Sequence, residues 1–157
     1  MATVEVTFTP LPAHVRTARL VATAVARRSG VDESLLDEVR LAVGEACSRA
    51  VEAHQMHCPQ QPITVALSDD GERFEVVVTD AAPTDAVSTD AVSSDSQGAT
   101  DHERDAGVPP AEVTPSAGDL AVDGLAVIAG LADDVRVIPA EEGTSIAMSW
   151  KRRVAQA

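Results

Sequence analysis

Two side chains that could do chemistry lie four residues apart in the stretch LAVGEACSRAVEAH, residues 41–54. Glu45 is a carboxylate that could accept a proton as a general base, and Arg49 is a permanent cation. Residues at this spacing are neighbours on a helix surface, so one interpretation is an ordinary Glu45–Arg49 ion pair, which stabilises a helix by about 0.2–0.5 kcal/mol. Such a pair would leave Glu45 a poorer proton acceptor. The stretch is therefore either a candidate active site or a structural helix.

Further candidate residues lie at a strand end and along a helix. Asp80 ends the apolar stretch FEVVVTD and could simply begin a turn. Arg16, Arg19 and Arg27 form a stripe with helical spacing, and such a stripe is commonly a solvated helix face. In a chain this acidic the stripe also reverses the local sign of charge, which would suit an acidic partner surface.

The composition restricts the classes of function. The chain has 157 residues, a formal net charge of −13 and 2% aromatic residues. Broad phosphate contact needs clustered cations, and stacking of single-stranded bases needs aromatic side chains, so we expect no direct nucleic-acid partner. The N-terminus does not resemble a signal peptide and no apolar run is long enough to span a membrane. We therefore expect a cytoplasmic protein without membrane contact.

No metal site is expected from the cysteines and histidines. Cys47 and Cys58 lack zinc-binding spacing. His54, His57 and Cys58 stand close together in the sequence, and we interpret them as a polar helix end.

The elements that must position these residues follow from hydrophobic periodicity. Strands are predicted within TVEVTFTP, ITVALSDDGERFEVVVTD and DVRVIPAEEGTSIAMSWKR, and helices from Ala13 to about Ser29, from an N-cap at Asp32 to about His54, and through LAVDGLAVIAGLAD. Turns are predicted at Asp69-Asp70-Gly71 and near Glu141 to Gly143. The order β-α-α-β-β-α-β-β predicts an α+β two-layer sandwich, with helices on one face of a mixed, mainly antiparallel sheet.

One segment differs from the rest of the chain. Residues 81 to about 119 are rich in Ala, Thr, Ser, Asp, Pro and Gly, with many acids and Arg104 as the only cation. Such a segment buries too little apolar surface to offset its ordering entropy. We therefore expect a disordered acidic insertion at 81–119 within a single domain that spans residues 1–157.

Four stretches together resemble a known family. PAHVRTARLVATAVARRSGV, LAVGEACSRAV, FEVVVTD and GLAVIAGLADDV…GTSIAMSW, in this order, are similar to the anti-sigma-factor serine kinases of the RsbW and SpoIIAB type. That family belongs to the GHKL ATPases and has the Bergerat α/β sandwich. The resemblance implies ATP and magnesium as cofactors, and a sigma factor and an anti-anti-sigma antagonist of the STAS type as partners. It also implies a homodimer, and it places the acidic insertion at the position of the ATP lid.

The resemblance implies a role for each matching residue. Glu45 corresponds to the general base of the kinases. Asp80 corresponds to the acid that accepts the adenine amino group, and Thr144 belongs to the late Gly-Thr pair near adenine. Gly124 is the one glycine of the lid motif that this chain keeps, and it is expected at the start of the third helix with Asp123 as N-cap.

The first helix of the family carries an arginine at the position of Arg19, and that helix contacts the sigma factor and the antagonist. We extend this partner-binding expectation to Arg16 and Arg27, which lie on the same stripe.

The chain departs from the family at each nucleotide motif. Arg49 stands where an asparagine ligates magnesium, and a guanidinium offers only donors and positive charge. Arg49 could instead hold phosphate directly, without a metal. Ala82 and Pro83 follow Asp80 where glycines would let the backbone approach the nucleotide. These differences make magnesium doubtful and ATP binding weak or lost.

Three functional hypotheses remain open. The first is an anti-sigma regulatory factor of the RsbW type that exchanges partners and has a degenerate ATP site. The second is an active ATP-dependent protein serine kinase that phosphorylates the antagonist, with Glu45 as base. The third is a non-catalytic adapter that keeps the GHKL fold and binds unrelated partners.

Overall fold

The computed structural model describes residues 2–83 and 117–152, with backbone alone for Ala2 and residues 117–123. The elements are β1 (Ala2–Phe8), α1 (Pro12–Arg28), a 3₁₀ turn (Glu33–Leu35), α2 (Leu36–His57), β2 (Ile63–Asp69), β3 (Arg73–Asp80), α3 (Ala117–Leu131), β4 (Asp134–Pro139) and β5 (Thr144–Lys151). The predicted order of helices and strands is confirmed.

The strands form one sheet in the order β1-β2-β3-β5-β4. Every pairing between these five strands is antiparallel, so the described sheet is not mixed. Along β2 and β3, alternate residues are buried on one face, whereas β5 is buried continuously from Ile146 to Trp150. The helices pack against the face that carries Val65, Val76 and Met148. The α+β sandwich with helices on one face is therefore confirmed.

The core between helices and sheet combines small helix residues with a few large strand residues. Alanines at positions 22 and 26 of α1 and at positions 42, 46 and 50 of α2 are buried in this core. Phe74 on β3 faces Trp150 on β5, and their ring centroids lie 6.2 Å apart. The indole Nε1 of Trp150 donates to the carbonyl oxygen of Leu131 at 3.0 Å, which ties α3 to the sheet.

Two helix starts differ slightly from the prediction. Helix α1 begins at Pro12, one residue early, because proline suits the first helical position, where an N–H would have no partner. Asp32 caps the 3₁₀ turn and not α2 directly, since its Oδ1 accepts from the Ser34 backbone N–H at 2.9 Å. No helix in the described ranges is long and apolar enough to cross a membrane.

The described residues differ from the predicted disordered insertion, 81–119, only at its two ends. Ala81 and Ala82 make defined backbone hydrogen bonds next to β3, and α3 already begins at Ala117. The remainder of the predicted insertion, 84–116, lies outside the described residues.

Candidate functional site

Strands β3 and β5 bring two of the predicted site residues together. Asp80 and Thr144 are paired in the antiparallel register, and both are buried. The turn before Thr144 depends on Gly143, which has φ +97° and lies so close to β3 that a Cβ there would meet the carbonyl oxygen of Asp80. Close backbone contact between the turn and β3 therefore fixes the position of Thr144 relative to Asp80.

The Asp80 carboxylate is already engaged within the chain. Its Oδ1 accepts from the Ala82 backbone N–H at 3.1 Å. Its Oδ2 lies 3.5 Å from Nη1 of Arg49, and the two side chains are only 6% (Asp80) and 17% (Arg49) exposed. One oxygen thus orients the turn after β3, and the other faces a cation from α2.

Of the interpretations left open for Arg49, the ion pair with Glu45 is not the one that the structure shows, because Arg49 pairs with Asp80. Helix α2 packs on β3, which brings the guanidinium within reach of the strand end. A carboxylate removed from water attracts a cation more strongly than an exposed one does, because the surroundings screen the attraction less. Glu45 is exposed and has no ion-pair partner among the described residues. Its role as general base stays a prediction.

The Arg49–Asp80 contact is an ion pair without good hydrogen-bond geometry. A charge-assisted N–H···O bond is shorter than 3.5 Å, and the buried Nη1 of Arg49 has no hydrogen-bond acceptor within the described part of the chain. The contact therefore neutralises charge at the site but leaves one donor unused.

The residues at this position do not fit a magnesium ion. Arg49 brings a positive charge to the place where the family has an oxygen ligand, and it already neutralises Asp80. In residues 2–83 and 117–152, no three His, Cys, Asp or Glu side chains are grouped to hold a metal. An adenine amino group at Asp80 would also compete with the two contacts that this carboxylate already makes.

Gly124 is not at a helix start, so that prediction is wrong. It lies in the middle of α3, and its backbone N–H is used inside the helix, where it cannot cradle phosphate. Among the residues that the structure describes, nothing lies within 4 Å of the place where a Cβ of Gly124 would be.

His54 is a site residue that we interpreted only as part of a polar helix end. It is fully buried at the end of α2. Its Nε2 accepts from the Ala81 backbone N–H at 2.8 Å, so Nδ1 carries the proton and donates to the Gln61 carbonyl at 3.0 Å. His54 thereby holds the chain immediately after Asp80. Helical periodicity could have predicted the burial of His54, because this residue continues the buried stripe of Val39, Val43, Ala46 and Ala50.

The arginine stripe divides into two parts. Arg16 and Arg19 line a cleft of about 360 Å³ between α1 and α2. The other lining residues are Pro12, Val15, Ser48, Val51, Glu52 and Gln55. Arg27 does not line the cleft, and its Nη2 lies 3.7 Å from the Glu33 carboxylate in an exposed ion pair. The cleft therefore gathers two of the three predicted cations.

Cys47 lies on the buried face of α2, close to Arg19. Burial raises the pKa of its thiol to about 12, and the nearby Arg19 charge partly opposes that rise. The Cys47 thiol therefore stays neutral in the folded protein at ordinary pH.

The chain was compared with known families and proteins. No curated protein matches it significantly. Residues 8–150, most of the chain, match the family described as the histidine kinase-like ATPase domain, which belongs to the GHKL ATPases. The match spans β3, β5 and α2, the elements that carry Asp80, Thr144 and Glu45. The chain therefore belongs to the histidine kinase-like ATPase domain family.

Proposed function

We propose that this chain is an anti-sigma regulatory factor of the RsbW type that works by binding proteins. It sequesters a sigma factor and releases it to an anti-anti-sigma antagonist of the STAS type, and its kinase activity is weak or absent. Membership of an ATPase family with regulatory kinases supports this proposal, as does the resemblance of its four motifs to the anti-sigma kinases.

The Arg49–Asp80 ion pair is the observation that carries the proposal. The carboxylate expected to recognise adenine faces a cation of the same chain, and that cation replaces a magnesium ligand. A nucleotide that bound through Asp80 would have to share this carboxylate with Arg49, and a neutralised carboxylate is a weaker acceptor for the adenine amino group. In this proposal ATP therefore has little effect on partner binding, and the chain is regulated by exchange of the sigma factor for the antagonist.

The partner surface in this proposal is the α1–α2 cleft. Arg16 and Arg19 supply positive charge in a chain with a net charge of −13, and Glu52 adds one acid at the same cleft. Exposed Leu20 and Leu41 lie on the same two helices and add apolar surface. An acidic protein segment with some apolar side chains suits this combination.

A binding experiment tests the proposal. Sigma factors and STAS domains of the source proteome would be purified individually and titrated against the full chain. We expect at least one of each class to bind, and Arg16→Glu or Arg19→Glu to weaken binding about tenfold or more. Arg28→Glu is the matched control, since it reverses the same charge on an exposed part of the same helix, outside the cleft and outside the predicted stripe. Binding to neither class would reject the proposal and favour an adapter with other partners.

Calorimetric titration with ATP tests the nucleotide half of the proposal. We expect little or no binding, with no difference between magnesium and a chelator. Arg49→Asn removes the competing cation and restores the ligand type of the family, so we expect it to strengthen magnesium-dependent binding. Tight magnesium-dependent binding to the unmodified chain would contradict the proposed loss.

A second candidate function is the active serine kinase, and one observation favours it. Glu45 is not paired with Arg49, so the guanidinium does not occupy its carboxylate. In this case ATP-dependent phosphate transfer to the antagonist's serine would be measurable with radiolabelled ATP and lost in Glu45→Gln. Absence of transfer to an antagonist that binds the chain would exclude this function.

A further inference from the structure

We infer that Gly44 is a positioning residue that seats Arg19 against α2 and so fixes its guanidinium in the α1–α2 cleft. The inference rests on the proposed function only where it assigns Arg19 to partner binding. The seating itself depends on the packing of α1 and α2.

Gly44 has no local reason to be glycine. It lies inside α2, where glycine lowers helix stability relative to alanine, and its φ is not positive. It is also buried, so the reason must lie in what packs against it.

The guanidinium of Arg19 occupies the space that a side chain at residue 44 would need. A Cβ at Gly44 would meet Nε of Arg19 and would lie 2.6 Å from Nη2 and 2.7 Å from Cζ. The group therefore rests on the α2 backbone itself. Its influence on the pKa of Cys47, in the next turn of α2, is consistent with this position.

In this position the Arg19 side chain lacks, among the described residues, a hydrogen-bond acceptor for one of its donors. Its Nε is buried and has no hydrogen-bond acceptor in the part of the chain that the structure describes. The same side chain lines the cleft, so the guanidinium meets an incoming anion in one orientation. An arginine fixed before binding loses less conformational freedom when it pairs with a carboxylate.

The variant Gly44→Ala distinguishes a role in positioning Arg19 from a role in the stability of the fold. A Cβ displaces the flexible end of Arg19 and not backbone, so the variant should fold, with a Tm equal to or above that of the unmodified protein. We expect the reaction of Arg19 with phenylglyoxal, followed by peptide mass spectrometry, to accelerate several-fold. Affinity for a sigma factor or STAS domain that binds the unmodified chain should fall about tenfold.

Gly130→Ala is the matched control, because it makes the same exchange within α3 at a position where, in the described part of the chain, no atom beyond the local helix backbone lies within 4 Å of the added Cβ. It should leave the labelling of Arg19 unchanged. A second cycle places Gly44→Ala in an Arg19→Ala background, where the added Cβ meets no guanidinium and should raise the Tm more than it does alone.

The outcomes separate the two proposals. Unchanged labelling of Arg19 in Gly44→Ala, or an equal Tm effect in both backgrounds, would overturn the seating. Faster labelling with unchanged partner affinity would leave the seating standing and would remove Arg19 from the proposed interface.

Discussion

Arg49 lies four residues from Glu45 on α2, yet its guanidinium faces Asp80 at the end of β3, 3.5 Å away. Glu45 is exposed to water, whereas Asp80 is buried. Because water screens charge, the buried carboxylate gains more from the cation than the exposed one would. At the scale of single residues, weaker screening at the buried site favours Asp80 over Glu45 as the partner of Arg49.

Removal of Arg49 should therefore be costly unless Asp80 changes as well. Arg49→Leu leaves a buried carboxylate without its cation, and we expect the free energy of unfolding to fall by about 2–3 kcal/mol. The double variant Arg49→Leu/Asp80→Asn should recover most of this loss, because an amide oxygen can still accept from the Ala82 N–H. Urea denaturation at pH 7 measures both. Equal losses in the single and double variants would contradict the ion pair.

His54 offers a second prediction at this scale. His54→Leu leaves the Ala81 N–H and the Gln61 carbonyl without their partner, so we expect a loss of about 1–3 kcal/mol. His57→Leu is the matched control, since His57 is exposed at the same helix end, and its effect should stay within about 0.5 kcal/mol. Chemical denaturation compares the two, and similar losses would mean that the His54 bonds contribute little.

At the scale of elements, the turn before β5 holds the site against β3. Gly143→Ala forces a side chain into a positive φ and against the Asp80 carbonyl, which is backbone and cannot move aside. We expect a loss of at least about 3 kcal/mol. Thermal and urea unfolding measure it.

Gly71 provides the comparison for that turn. It also has a positive φ, +95°, in the hairpin between β2 and β3, but no atom of residues 2–83 and 117–152 lies within 4 Å of its Cβ position. Gly71→Ala should cost only about 1–2 kcal/mol, the strain of the backbone alone. Equal losses at the two glycines would show that the approach of Gly143 to Asp80 does not matter.

The sequence predicted these elements better than it predicted the site. Alternation placed the strands, and glycines marked both turns, because these signals depend on residues close together in the chain. Gly124 shows the limit of a short motif. Its match to a lid glycine suggested a helix start, whereas the apolar helix begins seven residues earlier, at Ala117.

At the scale of the whole molecule, one buried thiol should affect stability at alkaline pH. The pKa of Cys47 is raised from 9.0 to about 12 in the folded protein. Below pH 9 the thiol is protonated in both states. Above it the unfolded chain ionises first, so stability falls as pH rises from about 9 to about 12, by up to about 4 kcal/mol.

The composition leaves few other side chains that would change charge between pH 9 and pH 12. The chain has no tyrosine, and Lys151 is its only lysine, so few other groups titrate in that range. Urea midpoints at pH 7, 9, 10 and 11 should decline, and the decline should largely disappear in Cys47→Ala. Cys58→Ala is the comparison and should keep most of the decline, because burial and the nearby Asp80 charge also raise the pKa of the Cys58 thiol but this side chain is less buried than Cys47. A flat profile in the unmodified protein would contradict the burial of a neutral thiol.

The sequence by itself determined the order of elements, the buried faces, the two hairpin turns and membership of the ATPase family. It did so because periodicity, turn glycines and motif order are local properties of the chain. Only the tertiary structure decided that Arg49 pairs with Asp80, that His54 bonds to Ala81, and that Arg19 lies on Gly44. These partners are distant in sequence, and burial, which only the packing of α2 against β3 and α1 creates, selected them over the nearer alternatives.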